Sequence, residues 1–436
     1  MEIQHYSNSF LSIKSGKTKL VCDPWVGTTY ENAWISDPLH FGGKKIINNI
    51  NPKYIYISHL HCDHFDPILL KKINKKNTVV IIKKFKLPII KNRIKKIGFN
   101  NILELEEWTV NRISTDISVA IIPQMTNNNE GIDSNIEYDL DTSILIKCHK
   151  TNKLFYNNVD NPIDLKHIKK IKKFVQEKMK SKIDICTFNI GAASEYPQCF
   201  LNIDRNNERD KIITRSMNKT IKKIKILGAG AFFPSGGSYK VSGKFFSLNK
   251  FVALPKEVTL QKLNNKNFKF FNLLGGQTLK INQDKFIVDE KKLNLTLKSN
   301  ALEKIKYSYE KKKKPNLDKI NNIFYKSLGN YYSRIKKYKI KQKWKINFLI
   351  FDKIELNKQA KINYHKSKVL KKYEIDFPNK GQTYYLDVFL DLKLFNNLLL
   401  KKSSWNTALS GSFVLFKRKP NKFIPDIPFS LNFLTI

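Results

Sequence analysis

Long apolar runs are missing from this sequence, and no stretch approaches the roughly twenty residues that a membrane span needs. The opening segment MEIQHYSNSFLSIKSGK carries no apolar h-region, so a signal peptide is not expected and the cytoplasm is the expected compartment. Cysteine is sparse as well. The five thiols, Cys22, Cys62, Cys148, Cys186 and Cys199, form no CxxC pair, which excludes a zinc ribbon or a disulfide framework and fits a reducing compartment. No internal repeat is present, which excludes a solenoid. Acidic residues are the third shortage: 37 stand against 79 basic ones, a formal charge of +42. A basic face for nucleic acid or anionic lipid is one reading of that balance. The other is compositional. Lys far outnumbers Arg, Asn and Ile are abundant too, and the lysines are spread over the whole chain, as in the product of an AT-rich genome. The second reading is preferred here, so no specific nucleic-acid partner is expected.

What remains is a 436-residue globular chain, 41% hydrophobic, long enough for two or three domains. Its first quarter reads as short strands. Alternation in 9–13 and 19–22 brackets the turn Ser15–Gly16–Lys17, and the second strand ends in Asp23–Pro24–Trp25. A buried-type strand, 54–58, runs into HLHCDHFDP. A helix over 67–75 follows, with Pro67 suited to its first turn, and then a strand at 78–82. Further strands are predicted at 118–122, 143–147, 153–156, 184–188 and 224–227, with helices over 163–179 and 207–220. The pattern changes near residue 245, which is the expected boundary between domains 1–245 and 246–436.

The residues that carry chemistry sit on the loop after the strand 54–58. His59-x-His61-x-Asp63-His64 packs four ligand-type side chains into six residues. His59 and His61 can share one ion, and Asp63 and His64 then face a second. Nitrogen and carboxylate donors suit zinc first, with iron or manganese as alternatives. Two such ions lower the pKa of a shared water and clamp the attacking and leaving oxygens. Asp160, at the end of the strand in LFYNNVDNP, is the candidate bridging acid, although an Asp before Asn161–Pro162 is also an ordinary turn former.

HxHxDH with an upstream DPW resembles the metallo-β-lactamase superfamily, and within it the CMP-N-acetylneuraminate hydroxylase branch and its bacterial relatives. The similar stretches are LVCDPWVGTTYENAW (20–34), YIYISHLHCDHFD (54–66), DTSILIKCHKTNKLFYNNVDNP (141–162), GAASEYPQCF (191–200) and GAGAFFPSGGSYK (228–240). SSWNTALSGSFVLFKRKP (403–420) is a weaker match. The resemblance implies an αβ/βα sandwich followed by an α+β extension. It also implies a sugar or nucleotide-sugar substrate. Three departures stand out. A Rieske iron–sulfur domain needs two Cys-x-His pairs on separate loops, and no two such pairs occur here. A further His is expected between the HxHxDH loop and Asp160, but His149 alone lies in that interval, at a strand end. Glu137 is the best-aligned substitute, a possible metal ligand, with Asp139 and Asp141 nearby. A late His ligand is expected in the turn GAGAFFPSGG, where Gly236 stands instead.

Asp23 reads either as a carboxylate that steadies the ligand loop or as a turn cap before Pro24. Trp25 and Trp34 read as core more than as pocket. GAASEYP is either a close backbone approach to a ligand or a simple turn. His5, His40, His167 and His365 read as ordinary histidines, and Lys311–Lys314 as a solvated loop. The function expected from all this is that of a metal-dependent hydrolase. A metal-bound hydroxide would attack an ester, lactone, amide or phosphodiester, with two divalent ions as cofactors and Asp63 also taking the nucleophile's proton. The alternatives are an oxygenase component served by a separate Rieske partner, and a catalytically degenerate binding protein. The oligomeric state is left open.

Overall fold

The computed structural model describes residues 1–37, 46, 48, 50–125, 141–191, 194–255, 257–261, 263, 267–273, 275–283, 285–289, 299–340, 344–376 and 384–436. His40 and Glu137 lie outside the described residues.

Two large sheets face each other. The first has eight strands in the order β18 (Lys285–Asp289), β17 (Thr278–Asn282), β1 (Glu2–Ser7), β2 (Phe10–Ser15), β3 (Thr18–Cys22), β6 (Tyr54–Tyr56), β7 (Val79–Lys83), β8 (Ile102–Leu105). The second has seven, in the order β16 (Lys269–Phe270), β14 (Ala231–Pro234), β13 (Ile185–Phe188), β12 (Lys153–Asn157), β11 (Ser143–Cys148), β10 (Ile117–Ile122), β9 (Asn111–Arg112). Between them lies a layer in which Ile13, Leu20, Tyr56 and Ile81 of one sheet meet Val119, Ile144, Phe155 and Phe233 of the other. Because strand side chains alternate, the next residue along each strand faces outward. Val21, Ile55 and Val80 pack outside the first sheet against Ile90 and Ile94 of the helix Ile89–Ile97. Leu145, Tyr156 and Cys186 pack outside the second against the helices Leu165–Glu177 and Arg205–Leu227. Strands buried on both faces explain why they read as nearly continuous apolar runs. The αβ/βα sandwich that the resemblance implies is the architecture of the chain.

The remainder forms a third layer. A four-stranded sheet in the order β20 (Val369–Ile375), β19 (Trp344–Phe351), β21 (Tyr384–Asp391), β22 (Leu415–Lys419) carries the helices Leu317–Lys337 and Leu392–Leu399. Its core is continuous with Trp25, Tyr30, Trp34 and Tyr239, so both tryptophans are packed inside the protein. Trp34 belongs to a small sheet of β15 (Tyr239–Val241), β5 (Trp34–Ser36) and β4 (Thr28–Thr29). The expected boundary near 245 falls inside the 3-10 helix Gly243–Lys250, and the strands after it return to both large sheets.

Two predicted elements differ. Residues 224–227 are the last turn of the helix Arg205–Leu227, closed by Gly228 at φ +69°, and not a strand. The helix expected over 67–75 ends at Leu70, although Ile73 beyond it is still buried.

Candidate metal centre

The parallel strands β3, β6, β12, β13 and β14 deliver their C-terminal turns to one end of the sandwich. That is where loops can carry polar groups without breaking the ladders. The start of β11 reaches the same end, because β11 runs antiparallel to β12. The sheets are tied there by Thr142, whose hydroxyl donates to the Ser58 carbonyl at 2.8 Å.

Asp23 follows β3 with a left-handed backbone, φ +42°, and is fully buried. Its carboxylate accepts from the Ser58 backbone N–H at 2.8 Å, the Ser58 hydroxyl at 2.7 Å and His64 Nδ1 at 3.1 Å. The Asp23 carboxylate thus ties the 59–64 loop to the end of β3. The Ser58 hydroxyl has one proton and gives it to Asp23. At the 2.8 Å contact between Ser58 Oγ and His59 Nδ1, the imidazole must therefore be the donor. By the same reasoning His64 donates through Nδ1. Each ring, when neutral, then turns a bare Nε2 lone pair inward, the state a metal ligand requires.

Two groups of donors result. His59 Nε2 lies 2.8 Å from His61 Nδ1 and 3.1 Å from Asp141 Oδ1. His64 Nε2 lies 3.0 Å from Asp160 Oδ2 and 3.3 Å from Asp63 Oδ2. The ligand atoms of His59, His61 and Asp141 all fall within 4.8 Å of one another, and so do those of His59, His64 and Asp160. The donor set thus fits divalent ions: three imidazoles and three carboxylates, converging through atoms that face one another. The structure brings together His59, His61, Asp63, His64 and Asp160. It adds Asp141, which sequence reasoning had only as a neighbour of Glu137.

The turns that carry these groups are held under strain. Val159, just before Asp160, is β-branched, yet it sits at φ +54° in the left-handed region. Buried amides impose this: Asn158 Nδ2 donates to the carbonyls of Val159 at 3.2 Å and Asn161 at 3.0 Å. Asn189, after β13, donates to Asp160 Oδ1 at 3.1 Å. Gly236, where the resemblance leads one to expect His, has φ +95°, and a Cβ there would lie 2.7 Å from Asp160 Oδ1. The backbone itself comes up to the carboxylate, so no side chain fits without displacing Asp160.

Electrostatics follow from burial and neighbours. Burial, with His64 and His61 close by, pushes the His59 imidazole well below its usual pKa, so it is neutral. Burial opposes charge on His64 too, but Asp63, Asp160 and the bond to Asp23 outweigh it and raise that group well above the usual value. Burial also works against ionisation of Asp63, and is outweighed by His64, His61 and the Tyr30 hydroxyl, which donates to Oδ1 at 2.9 Å. Asp63 is thereby held far below the usual carboxylate range. His149, at the end of β11, instead contacts the Ser118 hydroxyl at 2.8 Å, outside the donor groups. His5 is buried with its ring nitrogens at the carbonyls of Leu273 and Asn8.

No protein-family model matches the chain. It is similar to a putative Rieske 2Fe-2S iron-sulfur protein of Mycolicibacterium smegmatis, 26% identical over 243 residues, which cover 54% of this chain and 43% of that protein. A protein of the same description from Mycobacterium tuberculosis is 30% identical over 129 residues, covering 28% and 24%. The chain thus spans less than half the length of the curated relatives it matches. Similar solved structures include an isothiocyanate hydrolase from Delia radicum gut bacteria, with a TM-score of 0.44 and 14% identity over 64% of this chain and 99% of that one. Another is CmlA, a diiron β-hydroxylase from Streptomyces venezuelae, with a TM-score of 0.43 and 13% identity over 64% and 54%. The architecture of this chain, two facing sheets with helices outside and an HxHxDH loop at the C-terminal end of a buried strand, is the αβ/βα sandwich expected from the sequence.

Proposed function

We propose that this chain is a metal-dependent hydrolase. Its ions would be held by His59, His61, Asp63, His64, Asp141 and Asp160. The observation that carries the reading is the pair of imidazoles whose Nδ1 protons are fixed by Ser58 and Asp23, leaving both Nε2 atoms aimed at carboxylates. A purely structural histidine cluster would not need both Nδ1 atoms fixed as donors with both Nε2 atoms facing carboxylates. Divalent ions bound here would supply Lewis acidity and bring the pKa of water near neutrality.

The protein's part is then positional. Asp23 and Ser58 orient the rings, and Asn189 and the backbone at Gly236 hold Asp160. Asp63 is fixed by Tyr30 and by Asn8, whose Nδ2 donates to Oδ2 at 3.2 Å. Each contact that lowers the basicity of Asp63 favours its ligand role over the proton-accepting role expected from sequence. His61 is the exposed member of the set, and Asp160 and Asp141 are partly exposed, so substrate approaches from their side. The substrate class proposed is an ester, lactone, amide or phosphodiester of a sugar or nucleotide-sugar. Its sugar character comes from the resemblance alone.

The test is turnover of an ester, lactone and phosphodiester panel by protein loaded with zinc, manganese or iron, before and after chelation. Metal-dependent hydrolysis supports the proposal. A protein that binds metal yet hydrolyses nothing, but consumes dioxygen when iron-loaded and supplied with a reduced Rieske protein, supports the oxygenase reading instead. That second reading is favoured by the Rieske description of the curated relatives.

A further inference from the structure

We propose that Tyr30 is a positioning residue for the ion held by Asp63 and His64, and that the C-terminal half of the chain sets it through a left-handed turn. The inference rests on the metal-site reading above. Tyr30, Glu31 and Asn32 have φ of +46°, +56° and +71°. Three successive residues with side chains do not hold that conformation unaided, because Cβ crowds the backbone in it, so surrounding structure must impose it.

The contacts that impose it come from far along the chain. The Ser308 N–H donates to the Glu31 carbonyl at 2.9 Å, and Asn32 Nδ2 donates to the Lys306 carbonyl at 3.3 Å. The Ser403 hydroxyl donates to the Glu31 carboxylate, and the Ser242 hydroxyl to the Asn32 carbonyl. Locally the turn has only the Ala33 N–H on the Tyr30 carbonyl at 2.9 Å and the Thr28 hydroxyl on Asn32 Oδ1 at 2.9 Å.

The turn aims Tyr30 at the metal centre. Its ring meets Trp34 edge-on at 4.6 Å, and Trp34 in turn stacks on Tyr239 at 3.6 Å. The phenol is buried and donates to Asp63 Oδ1, which leaves Oδ2 as the oxygen beside His64 Nε2. Asn8 Nδ2 reaches Oδ2 at 3.2 Å, and a carboxylate held at both oxygens keeps a single orientation, which pre-orients Oδ2 for an ion. The C-terminal layer is therefore part of the metal site although none of the assigned ligands lies in it.

The experiment is a Co²⁺ titration of the full chain, followed by visible absorption, on the parent, Tyr30→Phe and Ser403→Ala. Melting of the metal-free proteins is measured in parallel. Tyr30→Phe keeps the ring and removes only the hydroxyl. It should weaken the ion at Asp63 and His64 about 10- to 100-fold. The ion at His59 and His61 should be unaffected, and metal-free melting should be little changed. Ser403→Ala should weaken the same ion by a smaller factor, roughly threefold or more. Unchanged Co²⁺ affinity in Tyr30→Phe overturns the role of Tyr30. Unchanged affinity in Ser403→Ala overturns the link to the C-terminal half, and decides the matter if Tyr30→Phe does not fold. A parent that binds no Co²⁺ at all fails the metal-site reading itself, a distinct result.

Discussion

The single hydroxyl proton of Ser58 makes Nδ1 of His59 the donor, and Asp23 does the same for Nδ1 of His64. Ser58→Ala should therefore lower metal affinity roughly tenfold while leaving all ligands in place, as measured by competition with a chromophoric chelator. Asp160→Asn keeps the turn chemistry and the bond from Asn189 but removes the carboxylate charge beside His64, so metal occupancy should fall with metal-free stability nearly unchanged. Equal metal content in that variant would count against a ligand role. Gly236→Ala should act on the same carboxylate from the other side, by both the clash with Asp160 and the cost of φ +95°. Away from the site, Lys223 is buried over the Phe188 ring, and burial, aided by Lys219, pushes its pKa down to about 8. Between that value and the ordinary one near 10.5 the unfolded chain binds the proton that the folded chain does not, so stability rises with pH across that window. Below pH 8 the full penalty applies, on the order of 3 kcal/mol. Lys223→Met should be stabilising at pH 7, and the gain should shrink toward pH 10.5 in urea titrations. The HxHxDH loop was legible at this scale because its ligands are neighbours in sequence. Asp141 and Tyr30 were not, since their roles depend on which strand end and which turn the fold brings alongside.

The elements that deliver the ligands were readable from alternation, because β6, β11, β12 and β13 are short apolar runs with turns at their ends. The helix Arg205–Leu227 was cut short because its last residues, 224–227, are a largely apolar, partly β-branched run that pattern alone reads as a strand. Gly228 as a left-handed cap is what marks its true end. Strands β16, β17 and β18 were hidden because they are short and largely half-exposed, with little apolar periodicity to read. Asp66 shows how an acid in the motif can be structural. Its carboxylate caps the short helix Pro67–Leu70, accepting from the N–H groups of Ile68 at 2.9 Å and Leu69 at 3.1 Å. Asp66→Ala should cost about 1 kcal/mol and Asp66→Asn much less. Neither should change metal stoichiometry, and loss of metal in Asp66→Asn would make it a ligand instead.

Across the whole molecule the +42 charge is the feature with the least bearing on the site. Basic side chains do gather along one open groove of about 730 Å³, between Leu165 and the helix Arg205–Leu227, lined by Lys211, Arg215, Lys219 and Lys222. None of the ligand residues lines it. Binding to a short RNA should accordingly be weak at physiological salt and fall steeply as salt rises. Sub-micromolar affinity there would instead favour a basic face for nucleic acid as the meaning of the charge. The central claim is that the 59–64 loop holds metal. Its most direct test is the metal content of the parent and of the His59→Ala/His61→Ala double variant, purified without added metal and measured by elemental mass spectrometry. The parent should carry at least one transition-metal ion per chain and the double variant essentially none; a metal-free parent that cannot be loaded, or a double variant that retains the full content, would contradict the account.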